Sequence, residues 1–440
     1  MAVRRTEEVL AKVAVSHVDI SQQSGEIPED VRSSINQAMD DFVELLLQDE
    51  FNIFRSEGHR RHLLYSSYNG LHKRMKQSRP CVYPGCPSPS IPRSHTVQRA
   101  NSLEFISENS HVLTPVLNIE TGALGMARVG IRNASTFPGF CSEHEKLFSE
   151  YELLGAPRED RHLTQQVFRT ICREIVVQEV HLHNIKRNLK AYEVLLSLRG
   201  QQFLMDRIGP DVLAEHNIKL KNLTIKGLSW RIEESKKFIS QIERTLKRLH
   251  GAFLPKSLRD VRGQDDGLAH FVVHIAHPLP VCLAGIGNFH IGIREAPQFV
   301  QAILNVIPTQ EESIISISVE DKYNDALKSY AALFLCRANG PLTMVETWMV
   351  NGTDHWFITP SEWETLSQRR RERILEDMLT NKYSIGQPYP RSILDSVRLS
   401  MLQLPEADFA PKDELREEWQ KVSDRNVSLS NQNVPGSRNT

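Results

Sequence analysis

The sequence contains no apolar run long enough to span a bilayer. Its richest stretch, Phe271 to Gly287, is broken by His274, His277 and Pro278. The opening Met-Ala-Val-Arg-Arg-Thr-Glu-Glu lacks the apolar core of a signal peptide. No membrane association and a cytoplasmic location are the expectations. Neither sign of charge prevails: 53 Lys+Arg against 54 Asp+Glu leave a net charge of -1. That excludes a globally basic nucleic-acid coat and leaves room for a local basic face. The phosphate-cradling Gly-x-x-x-x-Gly-Lys-Ser/Thr is missing, and Gly285-Ile-Gly287 lacks the third glycine of a dinucleotide site. Gly-x-Ser-x-Gly and His-Glu-x-x-His do not occur. Cysteine is scarce, six in 440 residues. Without an export signal, clustered Cys and His point to metal binding in a reducing compartment and not to disulfides.

What remains is an ordinary composition, 40% hydrophobic and 24% charged, in a chain long enough for roughly two or three domains. Residues 1–27 read as a loose arm. Acidic residues after Pro28 start a helix, continued by apolar Ile35, Met39, Phe42 and Leu46 at helical spacing. A basic segment follows, with Arg60, Arg61, Lys73, Arg74, Lys76 and Arg79 interleaved with Tyr65, Tyr68 and Leu71. It reads either as a solvated helix face or as a surface that contacts phosphates.

From Leu163 to about Leu198 apolar residues recur in steps of four and three. The same rhythm returns from Leu228 to Leu249. A 3.5-residue repeat predicts an antiparallel helical hairpin or a dimer through these helices, with Gln178 and Ser235 as polar register marks. Past Gly267, Phe271–Ala276 and Ser313–Val319 read as strands, and Glu320–Cys336 as a helix. Asn351-Gly352 between aromatic-rich runs predicts a two-residue hairpin that sets Trp348 opposite His355. Glu346, Asp354 and His355 on it read as an acid/base group or as a packed face. Past Pro405 the chain turns polar, and Asn426 to Thr440 reads as disordered.

The chemistry gathers in residues 81–144. Cys81-Val-Tyr-Pro-Gly-Cys86 places two thiols on a knuckle, and Cys141-Ser-Glu-His144 opens a helix that Ser142 is expected to cap. Together these four supply the soft donors of a tetrahedral structural zinc. His95 lies between them in Pro-Arg-Ser-His. Cys81, Cys86, His95 and Cys141 make an equally legal ligand set, leaving His144 free. Cys172, Cys282 and Cys336 sit in apolar contexts and read as core thiols.

The order of Cys81, Cys86, His95, Cys141 and His144 resembles the His-Asn-His (HNH) or ββα-metal endonucleases in their zinc-knuckle, treble-clef form. Ser-His-x-x-Gln followed by Ser-Thr-Phe-Pro-Gly-Phe-Cys-x-x-His also looks like segments of bacterial proteins. The resemblance implies that His95 is the general base that activates water against a phosphodiester. It implies a catalytic Mg or Mn beside the structural zinc, nucleic acid as partner, and a defence-type effector role. Candidates for the middle Asn of that family are Asn109, Asn118 and Asn133, and if His144 binds zinc the closing metal ligand must be another residue, with Glu145 as a candidate.

The expected architecture is α+β and multidomain. It comprises an N-terminal arm and helices (1–80), a small zinc-knuckle ββα-like domain (81–155), a long antiparallel helical hairpin or coiled coil (160–252), a C-terminal α+β domain (268–404) and a polar tail (405–440). Two functions stand side by side. One is a metal-dependent HNH-like endonuclease acting on DNA or RNA, with the long helices forming a homodimer or spacing the site. The other is a non-catalytic adaptor in which zinc only staples the fold, and the coiled coil and C-terminal domain bind a protein partner or nucleic acid.

Overall fold

The computed structural model describes residues 27–48, 53, 57–155, 157, 159–216, 229–264, 267–291, 298–337, 339–380, 383–404 and 412–431. Residues 1–26 of the expected N-terminal arm and the last nine residues lie outside them. The fold mixes helix and strand, as expected. The chain divides into two units. One comprises residues 1–73 and 179–245, the other residues 74–178 and 246–440.

In the first unit, α1 (Glu29–Gln48) buries Ile35, Met39, Phe42 and Leu46 on one stripe. They pack with Leu196 and Leu204 of a 49-residue helix. α2 spans Glu57–Lys76. Its Ser67 hydroxyl accepts a hydrogen bond from the Asn188 amide at 2.7 Å.

In the second unit the chain forms β1 (Ser94–His95), β2 (His111–Leu117), β3 (Leu124–Gly130) and β4 (Thr136–Phe137), then α3 (Ser142–Glu145) and α4 (Ser149–Leu154). The long helix, α5 (Asp160–Ile208), runs on from this unit into the first at Gln178. It passes straight through Gly200. α6 (Pro210–Glu215) and α7 (Ser229–Arg248) follow. The heptad rhythm predicted mutual packing of two helices. Leu196, at the end of that repeat, packs together with Leu204 and α1. Lys186 does pair with Glu243 of α7 at 2.6 Å.

After α8 (Leu254–Val261) come β5 (Leu268–Ile275), β6 (Val281–Ile291), β7 (Gln298–Pro308) and β8 (Ser313–Glu320). Then follow α9 (Asn324–Leu335), α10 (Gly340–Asn351), β9 (Trp356–Ile358), α11 (Pro360–Thr365), α12 (Gln368–Thr380), α13 (Asp395–Met401) and α14 (Lys412–Asn431). Seven strands form one antiparallel sheet, ordered β3-β2-β9-β6-β7-β8-β5. β2 and β3 come from the expected metal domain, so that segment shares a sheet with the C-terminal region and is not a separate body. Alternation sorts the faces. Val300, Ala302, Leu304 and Val306 of β7 join Trp348 and Trp356 in the main core, whereas Ile303 joins Phe168, Ile171 and Cys172 on the other side.

Three local expectations are corrected. Asn351-Gly352 ends a helix and does not turn a hairpin, because Met344, Val345, Trp348 and Met349 all lie buried in the main core along one helix. Residues 426–431 belong to α14 and are ordered as helix. Cys336 is exposed, at the end of α9. Among the described residues no helix is long and apolar enough to cross a membrane.

Candidate metal centre and the polar layer beside it

The knuckle at Cys81 is built by backbone bonds. Cys81 N donates to Ser88 O at 2.9 Å, Cys86 N to Tyr83 O at 3.1 Å, and Val82 N to Gly139 O at 2.9 Å. Gly85 takes φ +82°, the left-handed turn that glycine adopts without strain. Gly139 is needed for another reason: a Cβ there would stand 2.1 Å from the Phe137 ring. The turn at Gly139 delivers Cys141 to the start of α3. Cys141, not Ser142, is the N-cap residue, and no side chain caps the helix.

Cys81, Cys86, Cys141 and His144 converge, with all four ligand atoms within 4.8 Å of one another. The spacing fits a tetrahedral ion. Two sulfurs about 2.3 Å from one centre lie roughly 3.8 Å apart, and a sulfur and a nitrogen roughly 3.6 Å. The observed separations are 3.9 Å for Cys86 Sγ to Cys141 Sγ, 3.6 Å for Cys81 Sγ to His144 Nδ1, and 3.3 Å for Cys141 Sγ to His144 Nδ1. Tyr83 stacks on the His144 ring, centroids 3.9 Å apart and planes 9° apart, and Arg262 donates to the Tyr83 hydroxyl at 3.0 Å. Burial pushes the Cys81 thiol up to about 11, whereas the His144 backbone N–H at the start of α3 pulls Cys141 down. A cation held between them favours the thiolates of both. The four residues can therefore hold a metal ion. Cys172, buried nearby on α5 with its thiol pushed well up by burial, stays outside the set.

His95 is not part of this set. It lies on β1, paired with Thr136 of β4. β1 and β4 thus pair as a small two-stranded ribbon, with β2 and β3 between them in the chain and α3 following β4. The Ile131 carbonyl bonds to the His95 ring, and Nε2 is buried without a partner. Burial first, then the positive charges of Arg169, Arg99 and Arg93, bring its pKa down to about 4. The ring is neutral at physiological pH.

A buried polar layer adjoins it. Arg169, 1% exposed, donates to Glu145 and to Glu152 at 2.5 Å each and to the Tyr151 hydroxyl at 3.1 Å. Gln166 donates to the Thr96 carbonyl at 3.0 Å and to Asn305 of β7 at 3.2 Å. Glu145 Oε2, Thr96 Oγ1 and Arg169 Nε are buried with no protein partner. Sequence reading passed over Arg169, Tyr151 and Gln166. The available signal was an arginine inside the apolar run Val167-Phe168-Arg169-Thr170-Ile171.

The expected Asn candidates serve turns. Asn118 Oδ1 accepts from Glu120 N and Thr121 N, the Asn109 carbonyl accepts from His111, and the Asn133 carbonyl accepts from Thr136. Of the basic residues, Lys73 and Lys76 are exposed and Arg74 and Arg79 half-buried, while the side chains of Arg60 and Arg61 lie outside the described residues. The chain matches no family profile, no curated protein and no solved structure.

Proposed function

We propose that this chain is a zinc-stapled, HNH-like endonuclease whose site lies on the His95 side of the β1–β4 ribbon. Cys81, Cys86, Cys141 and His144 would hold the zinc, which supplies a cross-link between knuckle and helix and no reaction step. The observation that carries the reading is His95 itself. It is neutral, and its buried Nε2 has no partner, with the positive charge of Arg169 acting on it. Such an imidazole can take the proton of a water that attacks a phosphodiester, and the neighbouring arginines stabilise charge that develops on phosphate. Unpartnered buried polar atoms gather where a ligand or water belongs.

A second reading, a structural zinc unit without catalysis, is favoured by one arrangement. Glu145, the residue suggested to close a catalytic metal site, is engaged by Arg169. Among the described residues no second set of three His, Cys, Asp or Glu ligand atoms converges, so no step is derived through a second ion.

The deciding experiment incubates the full zinc-loaded chain with plasmid DNA or structured RNA and Mg2+ or Mn2+, beside His95→Ala. Cutting by wild type that His95→Ala loses, with zinc content and melting temperature retained, supports catalysis. A wild type that cuts neither polymer with either ion, or a His95→Ala variant that cuts as well, overturns it and leaves the structural reading.

A further inference from the structure

Three exposed arginines border the His95 strand: Arg93 two residues before the ring, Arg99 four after it, and Arg132 in the turn whose Ile131 carbonyl bonds the ring. That turn is clasped to the strand by Thr96 N to Ser135 O and Val97 N to Ser135 Oγ, both at 2.8 Å. Arg93 sits in the turn that leads directly into this two-residue strand, and Arg99 opens the helical turn that follows it. None of the three arginines makes an ion pair or a side-chain hydrogen bond. Arg161, Arg169, Arg370, Arg391 and Arg398, by contrast, are each held by an acid. Behind the strand lies Arg169, fully buried, with Nε unpartnered.

We infer that Arg93, Arg99 and Arg132 form a phosphate-gripping rim around His95, and that this rim, not the basic face of α2, is where a nucleic-acid backbone docks. The inference rests on the nuclease reading for the identity of its polymer. The physical reasons are three. Unpaired guanidinium groups have no internal bond to give up, and their planar forks match phosphate oxygens two at a time. A chain of net charge -1 attracts a polyanion only where cations are concentrated without acids between them. The rim also borders His95, whose buried Nε2 has no partner, so docking there brings a phosphodiester toward it. Lys73 and Lys76 on α2 are exposed too, and the comparison of the two sets is the test.

The test measures equilibrium binding by fluorescence anisotropy without added divalent ion, so that no cutting intervenes. The full zinc-loaded chain is titrated onto a labelled single-stranded DNA, its duplex and the matching RNA over a salt series. Arg93→Gln/Arg99→Gln/Arg132→Gln is compared with Lys73→Gln/Lys76→Gln. These side chains are exposed, so zinc content and melting temperature remain those of the parent. The expected result is that the arginine variant binds at least about tenfold more weakly, and that its log Kd against log salt slope falls by about two to three, near one per lost phosphate contact. The lysine variant stays within about twofold of the parent. Unchanged binding by the arginine variant, loss confined to the lysine variant, or no binding of any of the three polymers by the parent overturns the inference. The three polymers show whether the 2′-hydroxyl or strandedness matters. Binding lost with the rim while the parent cuts nothing leaves the rim standing and removes the nuclease reading.

Discussion

Tyr83 lies flat against His144, and that contact holds the imidazole edge-on to the three sulfurs. Removing the ring by Tyr83→Leu frees His144 to rotate. The expected loss is about 1 kcal/mol of stacking, read as a roughly five- to tenfold fall in zinc affinity in a competition with a chromophoric chelator. Tyr83→Phe keeps the stack and loses only the Arg262 bond, so its affinity stays near wild type. Equal losses in both variants would show that the hydroxyl, and not the ring face, positions the ligand. His95 makes a second residue-scale prediction. Its folded pKa, about 4, lies below the ordinary value of 6.5. The unfolded chain therefore takes up the proton first. The stability tied to the neutral ring is complete above about pH 6.5 and is lost progressively as pH falls toward 4. At ~1.4 kcal/mol per pH unit the span is on the order of 3 kcal/mol. Urea unfolding of wild type and His95→Gln at intervals between these limits checks it: the variant's curve should be flatter. Parallel curves would mean that His95 does not carry the effect. His355, also depressed chiefly by burial, adds loss of the same sign in both proteins.

At the scale of elements, α10 shows why a strong local turn signal failed. Asn-Gly favours a hairpin when the flanking runs alternate in and out. Here Met344, Val345, Trp348 and Met349 follow helical spacing, and the main core buries them together. Glu346 on the same helix is 1% exposed and faces an equally buried Arg398. Glu346 Oε1 also accepts from the backbone N–H groups of Ile393 and Leu394 at 2.6 and 2.8 Å. This carboxylate thus binds α10 to the start of α13. Glu346 is therefore a structural anchor, separated from the acid/base group that the hairpin reading assembled. Glu346→Ala leaves a buried guanidinium and two backbone donors unpaired, and a loss of about 3–5 kcal/mol in denaturant unfolding is expected. A double-mutant cycle with Arg398→Met isolates the pair, and the double variant should be less damaged than the sum of the singles. Additive losses would sink the idea that the two side chains act as a unit.

For the whole molecule, the metal centre has a defined reach. Cys81 and Cys141 belong to the same apolar cluster as Phe137, Phe140, Phe148, Tyr151, Phe168 and Leu249. The cluster of α1 with Leu196 and Leu204 is separate. Stripping the ion with a strong chelator should therefore lower amide protection first between Cys81 and His144, while α1 keeps its protection. Hydrogen exchange with mass spectrometry reads both at once. Unchanged protection across 81–144 after verified metal removal would mean that the ion does not staple the fold.

Some of this was legible before any coordinates. The four ligands announced themselves because Cys-x4-Cys with Pro and Gly, and Cys-x2-His at a helix start, are short-range arrangements that backbone geometry alone can close. The α1 stripe and β5 and β8 were also visible, since their periodicity is a property of neighbouring residues. Three things waited for the tertiary structure. What Leu196 at the end of the heptad repeat in α5 meets depends on α1, about 150 residues away in sequence. Whether Asn351-Gly352 turns or caps depends on a core assembled from the whole sheet. Which groups surround His95 depends on Arg169, brought in by the long helix that follows β4. Local chemistry determines what a short segment is able to form; burial and charge pairing between distant segments decide which of those forms the chain keeps.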